Sequence, residues 1–214
     1  MQPTRNHKRS AYAWAVASVW LAGTAYAFWS FELKHQRSFE SAHTVLFDSG
    51  SRARSAEAWF HTVVAPRLGS GSGHVATVVH IYSADCPCNR FTHPHLARIV
   101  AGYQHRGVSF VTAVRGSATP VAGDPVSAAA GPVGLQQVAL GTNGDFAWIE
   151  ATPAALVFDA AGQLIYFGPY SDSARCGESG GLVERVLDRV LGGQAPRPQP
   201  FYGGGCFCSS TNNI

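Results

Sequence analysis

A near-continuous apolar run, Val75–Tyr82, leads within four residues into Cys86-Pro87-Cys88, and a helical pattern follows. The run is the kind of strand that is buried on both faces of a sheet. The spacing predicts a thiol at the helix N-cap, proline at the first helical position and a second thiol within the first turn. Proline loses nothing there, because its missing donor would be unpaired anyway. The unpaired amides of a helix N-terminus carry about half a positive charge, which favours thiolate over thiol. Strand, Cys-Pro-Cys and helix together therefore describe a reactive cysteine pair on an α/β scaffold.

The rest of the chain supplies that scaffold. A helix is expected through Arg98–His105, with Leu96, Ile99, Val100 and Tyr103 at helical spacing and Gly107 as its stop. Val108–Val114 is a second strand, so strand, helix and strand form a βαβ unit with parallel neighbours. Residues 115–132 read as a loop, and Val133–Leu140 as a short helix. Ala154–Asp159 and Gln163–Phe167 form a hairpin about Ala160-Ala161-Gly162. Leu182–Leu191 is an amphipathic helix ended by Gly192-Gly193. A tail rich in Pro and Gly, residues 194–214, carries Cys206-Phe207-Cys208. Residues 32–73 read as a connector with a possible helix over Ser55–Val64, and the domain is expected to span 74–193.

The N-terminus is a basic head, residues 1–10, followed by an uncharged stretch over residues 11–31. About 20 such residues suit one membrane-spanning helix. The positive-inside rule keeps the head cytoplasmic. The expectation is a single-pass protein of the bacterial inner membrane with its domain facing the periplasm or exterior. The alternative is secretion after cleavage behind Ala25-Tyr26-Ala27. Either placement tolerates disulfides. A net charge of +3 with scattered Lys and Arg excludes an evident nucleic-acid partner.

The five cysteines group as Cys86 with Cys88, Cys206 with Cys208, and Cys176 alone. This is not the spacing of a disulfide-stapled mini-domain. The order βαβ, hairpin, helix, the thiols after the first core strand, and Thr152-Pro153 just before the third together resemble the thioredoxin-like superfamily over about residues 74–193. The chain looks most like membrane-anchored, uncharacterised bacterial members that carry Cys-Pro-Cys. The resemblance implies a central mixed sheet of about four strands with helices on both faces. It also implies a cis bond at Pro153, which frees Thr152 to offer its backbone to a partner chain. It departs from the usual C-x-x-C by one residue. A bond across one intervening residue closes a strained ring that is easier to reduce, so a Cys86–Cys88 disulfide would be oxidising or isomerising in character.

Two functions follow. The first is an extracytoplasmic thiol–disulfide oxidoreductase or isomerase acting on protein thiols or disulfides with a membrane or periplasmic redox partner. Cys86 attacks, Cys88 resolves, and Thr152-Pro153 docks the substrate. Cys176, Cys206 and Cys208 are auxiliary thiols, and the tail is long enough to act as a shuttle dithiol. The second is a copper or zinc thiolate site drawn from Cys86, Cys88, Cys176, Cys206 and Cys208; the first reading needs no cofactor. His80 reads as a core or supporting histidine. His93 and His95 fall on the first turns of the active-site helix, where exposure is the commoner fate. Asp85 either caps the helix or opposes the thiolate. A peroxidase is disfavoured, because no P-x-x-x-T-x-x-C pattern precedes Cys86.

Overall fold

The structure, a computed structural model, describes residues 4–30, 36–38, 51–68, 73–84, 86–115, 134–140, 146, 149, 151–171, 181–194 and 204–209. Two compact units divide the chain, Met1–Gln36 and Arg37–Ile214. The first contains helix α1, Thr4–Phe28, on which Tyr12, Trp14 and Trp20 are exposed. No helix among the described residues is long and apolar enough to cross a membrane. The membrane-spanning helix expected over residues 11–31 is therefore not supported. Freedom from charge is not the same as hydropathy: Ser, Thr, Gly, Tyr and Trp dilute the apolar residues of α1.

The second unit is built on a five-stranded mixed sheet. Its elements are β1 (Gln36–Ser38), α2 (Ser51–Trp59, continued by wider and ordinary helical turns over Phe60–Val64 and Ala65–Leu68), β2 (Ala76–Ser83), α3 (Asn89–Tyr103), β3 (Val108–Arg115), β4 (Gln136–Ala139), β5 (Ala151–Thr152), β6 (Ala154–Asp159), β7 (Leu164–Gly168), α4 (Leu182–Leu191), β8 (Gly204–Cys206) and β9 (Cys208–Ser209). The sheet order is β4-β3-β2-β6-β7. β2 and β3 run parallel with Ala76 opposite Val108, and β6 lies antiparallel to β2 with His80 opposite Ala155. This is a mixed sheet of the expected kind, with one strand more than expected. The additional strand is β4, where a short helix was expected over Val133–Leu140. It pairs parallel to β3, Val111 opposite Gln136, and tertiary pairing overrides its weak local pattern.

Alternation along β2 assigns its two faces. Val79 and Ile81 join a cluster with Val111, Leu156, Phe158 and Phe167. Val78 joins the opposite cluster with Leu96, Ile99, Val157, Val183 and Leu187 from α3 and α4. Helices therefore cover both faces. In the hairpin, Asp159 Oδ1 accepts the N–H groups of Ala161 and Gln163 at 2.9 Å each. Gly162 takes φ +77°, a value that suits glycine, and completes the turn.

Helix α2 is part of the core rather than a connector. Ala56, Trp59, Phe60 and Val64 are buried in the first cluster. Phe60 stacks on Phe158 with ring centroids 4.4 Å apart, and the Leu164 N–H donates to Glu57 Oε1 at 3.0 Å. The apolar residues of α2 face the sheet surface that α3 and α4 leave uncovered. Phe60→Ala is accordingly expected to cost about 3–5 kcal/mol of stability, read from urea unfolding of the oxidised protein. A cost below about 1 kcal/mol would show α2 to be dispensable to the core.

Candidate active site: two crossed cysteine pairs at a cis-proline

The loop between β2 and α3 is folded around one carbonyl. Ser83 O accepts the Cys86 N–H at 3.1 Å and the Asn89 Nδ2–H at 2.7 Å. Cys86 O accepts the Asn89 N–H at 3.1 Å, and Cys88 O accepts the Phe91 N–H at 3.1 Å. These bonds place Pro87 and Cys88 in a turn, so α3 begins at Asn89 with Cys88 as its N-cap. The helix starts later than the sequence spacing predicts, because Asn89 closes the loop with its side chain. Cys88 still sits at the positive end of α3, where a thiolate is favoured. Asp85 and Cys176 lie outside the described residues.

The Thr152–Pro153 bond is cis, as the resemblance implies. Thr152 O lies 3.5 Å from Cys86 Sγ. That sulfur is in a disulfide and carries no proton, so the approach is a contact in this state. The tail reaches the same place. β9 pairs antiparallel with β5, Thr152 opposite Cys208 and Ala151 opposite Ser209. Cys86 is bonded to Cys208 and Cys88 to Cys206. A Cys86–Cys88 bond is thus not the one formed: an antiparallel tail gives each thiol its own partner. Between the two tail cysteines, Phe207 is buried in the first core cluster with Phe146, Ile149 and Ala151. Cys86 and Cys88 are buried beneath this cover, while Cys206 and Cys208 are partly exposed. The sulfurs of Cys86, Cys88 and Cys208 all lie within 4.8 Å of one another.

Beside the loop, on the α3 face of the sheet, lies a polar cluster. His80 is fully buried and shares a 2.9 Å hydrogen bond between Nδ1 and the Tyr170 hydroxyl. Its ring stacks on Tyr82 and meets His93 edge-on, with centroids 5.4 and 5.8 Å away. His95 is buried rather than exposed, with Nε2 2.5 Å from Glu184 Oε1 of α4. His80 Nε2 and His93 Nε2 have no hydrogen-bond partner among the described residues. Burial, and secondarily the charge of His93, push the His80 pKa down to about 3; burial lowers that of His93 as well. Sequence reasoning missed Tyr82, Tyr170 and Glu184, whose contribution depends on elements far apart in the chain.

The lowered His80 pKa fixes a direction for stability. Between its unfolded value near 6.5 and its folded value near 3, the unfolded chain binds the additional proton, so stability falls as pH drops through that window. Urea unfolding at pH 7 and pH 4.5 should show this loss, and His80→Gln should reduce it. An unchanged pH dependence in His80→Gln would assign the loss to other groups.

Comparison with known proteins supports no transfer of a specific activity. No curated protein matches the chain. It is similar in structure to a hypothetical protein from Sinorhizobium meliloti 1021, at 19% identity over 64% of this chain and 80% of that one, with a TM-score of 0.47. An uncharacterized conserved protein from Geobacillus kaustophilus is similar at 21% identity over 63% and 76%, with a TM-score of 0.45. A putative thiol:disulfide interchange protein from Chlorobium tepidum is similar at 16% identity over 46% and 70%, with a TM-score of 0.36. Residues 57–210, which hold the latter part of α2, the whole five-stranded sheet, the cis-proline and all four bonded cysteines, match the family described as a domain of unknown function, DUF6436, and the chain belongs to it.

Proposed function

We propose that the protein is a thiol–disulfide oxidoreductase in which Cys86 exchanges with a cysteine on an extended chain laid along Ala151–Thr152, and that its own tail is the first such chain. One observation carries the reading. Cys208 is held by backbone pairing opposite Thr152 of the cis-proline loop, with its sulfur bonded to Cys86. A mixed disulfide between an exchange enzyme and a docked substrate strand needs the same two elements: backbone pairing for affinity and a sulfur in line with the attacking thiol.

The exchange balances without a cofactor. A substrate protein thiolate attacks Cys208 Sγ, the less buried sulfur of the pair, and Cys86 leaves as a thiolate beside the helix N-terminus. The substrate's second thiolate then attacks its own sulfur in that mixed disulfide and releases Cys208. Two electrons have passed from the substrate dithiol, now a disulfide, to Cys86 and Cys208. Cys86 can next attack Cys88 of the Cys88–Cys206 bond. That step forms Cys86–Cys88 and frees Cys206, so the tail leaves as a dithiol carrying the two electrons and opens Ala151–Thr152 to a substrate strand, whose thiolate attacks Cys86 and displaces Cys88. Protein thiols or disulfides are the substrates. The proposed compartment is an oxidising one, the periplasm or exterior, where such bonds persist.

Titration of the full chain in glutathione buffers, read by mass spectrometry of alkylated peptides, tests this reading. The Cys86–Cys208 bond should open reversibly with a midpoint within roughly −120 to −270 mV, and Cys86–Cys88 should accumulate at intermediate poise. A Cys86–Cys208 bond inert across that range would sink the proposal. A second expectation concerns the cover. Burial of a Phe side chain contributes about 1.5–3 kcal/mol. In the fully reduced protein, Phe207→Ala should therefore raise the rate of Cys86 alkylation about 10-fold to 100-fold. An unaltered rate would mean that the reduced tail no longer lies over Cys86.

A further inference from the structure

We infer that the reduced protein carries a closed Zn(II) site formed by the four thiolates of Cys86, Cys88, Cys206 and Cys208. The inference goes beyond the exchange reading and rests on where the sulfurs lie, not on whether they exchange. Three of them are already within 4.8 Å of one another. The fourth, Cys206 Sγ, is bonded to Cys88 Sγ at 2.08 Å. Zinc at about 2.3 Å from each of four sulfurs sets them about 3.8 Å apart. A four-sulfur site therefore requires each bonded pair to separate by less than about 2 Å and Cys206 Sγ, which lies outside the group of three, to close on Cys86 and Cys208.

The thiols have reason to stay together after reduction. The β5–β9 pairing is made through backbone groups and Phe207 is held by apolar packing, so part of what seats the tail is separate from the sulfur–sulfur bonds. Two short segments, one at a helix start and one on a strand, would supply two ligands each, a common construction for structural zinc. Charge points the same way. Cys86 and Cys88 are buried, with 5% and 0% exposure. Four thiolates packed there need a compensating cation, and thiolate sulfur selects soft d10 ions.

The metal-bound and disulfide forms exclude each other. The site forms when four thiols bind one Zn2+ and release four protons. It dissolves when two molecules of a low-molecular-weight organic disulfide accept four electrons and four protons, leaving two protein disulfides, four small thiols and free Zn2+. Oxidation would thus eject the metal.

The test uses full-length protein reduced with a phosphine, freed of reductant and titrated with Zn2+ or Co2+ alone. The expected result is one metal per chain and, with Co2+, the intense visible bands and sulfur-to-metal charge transfer of a tetrahedral thiolate site. Cys206→Ser combined with Cys208→Ser should weaken binding at least 100-fold, and Cys88→Ser at least 10-fold, with far-ultraviolet circular dichroism confirming that each variant is folded. Adding an organic disulfide to the zinc form should release the metal to a chromophoric chelator. Failure to bind Zn2+, binding that survives loss of both tail cysteines, or preference for Cu(I) on three sulfurs without a Zn2+ complex would each overturn the assignment. A glutathione titration that still shows reversible exchange would leave the redox reading standing in every one of these cases.

Discussion

The crossed pairing of Cys86 with Cys208 and Cys88 with Cys206 determines what the rest of the domain can do. Each bond joins positions more than a hundred residues apart, with separations of 122 and 118. In the chain-entropy account, closing one loop of that length removes about 5 kcal/mol of freedom from the unfolded state. The second bond then closes only a ring of a few residues and adds much less. Its contribution lies elsewhere: it ties up Cys88, so the Cys-Pro-Cys loop has no free thiol until the tail is reduced or exchanged away. A Cys86–Cys88 bond would have left the tail unstapled and the docking edge of Thr152 open.

Behind this loop the sheet separates two environments. The face covered by α2 is apolar, and Phe207 extends it by entering the cluster that holds Phe146 and Ile149. The face covered by α3 and α4 carries the buried histidines. His80 holds its hydrogen bond to Tyr170 as a neutral ring, and burial makes protonation costly. Near neutral pH His80 thus supports the loop as an uncharged ring, and acidification destabilises the fold through it.

What was legible in the sequence depended on how local its cause was. β6 and α4 were read with their observed limits, because uninterrupted apolar or amphipathic periodicity decides them. Cys86 and Cys88 stand out as candidates because strand, turn and helix fall in consecutive residues, and Thr152-Pro153, marked by the family resemblance, lies against Cys86 in the structure. β4 was misread: Gln136–Ala139 is too short to show a period, and its identity comes from hydrogen bonding to β3. For α2 the sequence shows a possible helix over Ser55–Val64 but not its place in the core, because that burial depends on Phe158 and Leu164, about a hundred residues on. The tail was expected within reach of the site, but not its bonding, since partner choice is set by the direction in which β9 meets β5.

That direction also accounts for the short spacing of both motifs. In an extended chain, residues two apart point to the same side and the one between them to the other. Cys206 and Cys208 therefore face the site together while Phe207 turns into the core. A second residue between the tail cysteines would turn one sulfur away from the loop. The loop must offer its own thiols at a matching interval, and Pro87 in the turn between Ser83 and Asn89 holds them there. Because the segments run antiparallel, the first thiol of one meets the second of the other. A C-x-x-C loop, with its second thiol one residue farther along, would lose this match. The departure from the usual motif is thus a fit between two dithiols, each serving as the other's counterpart.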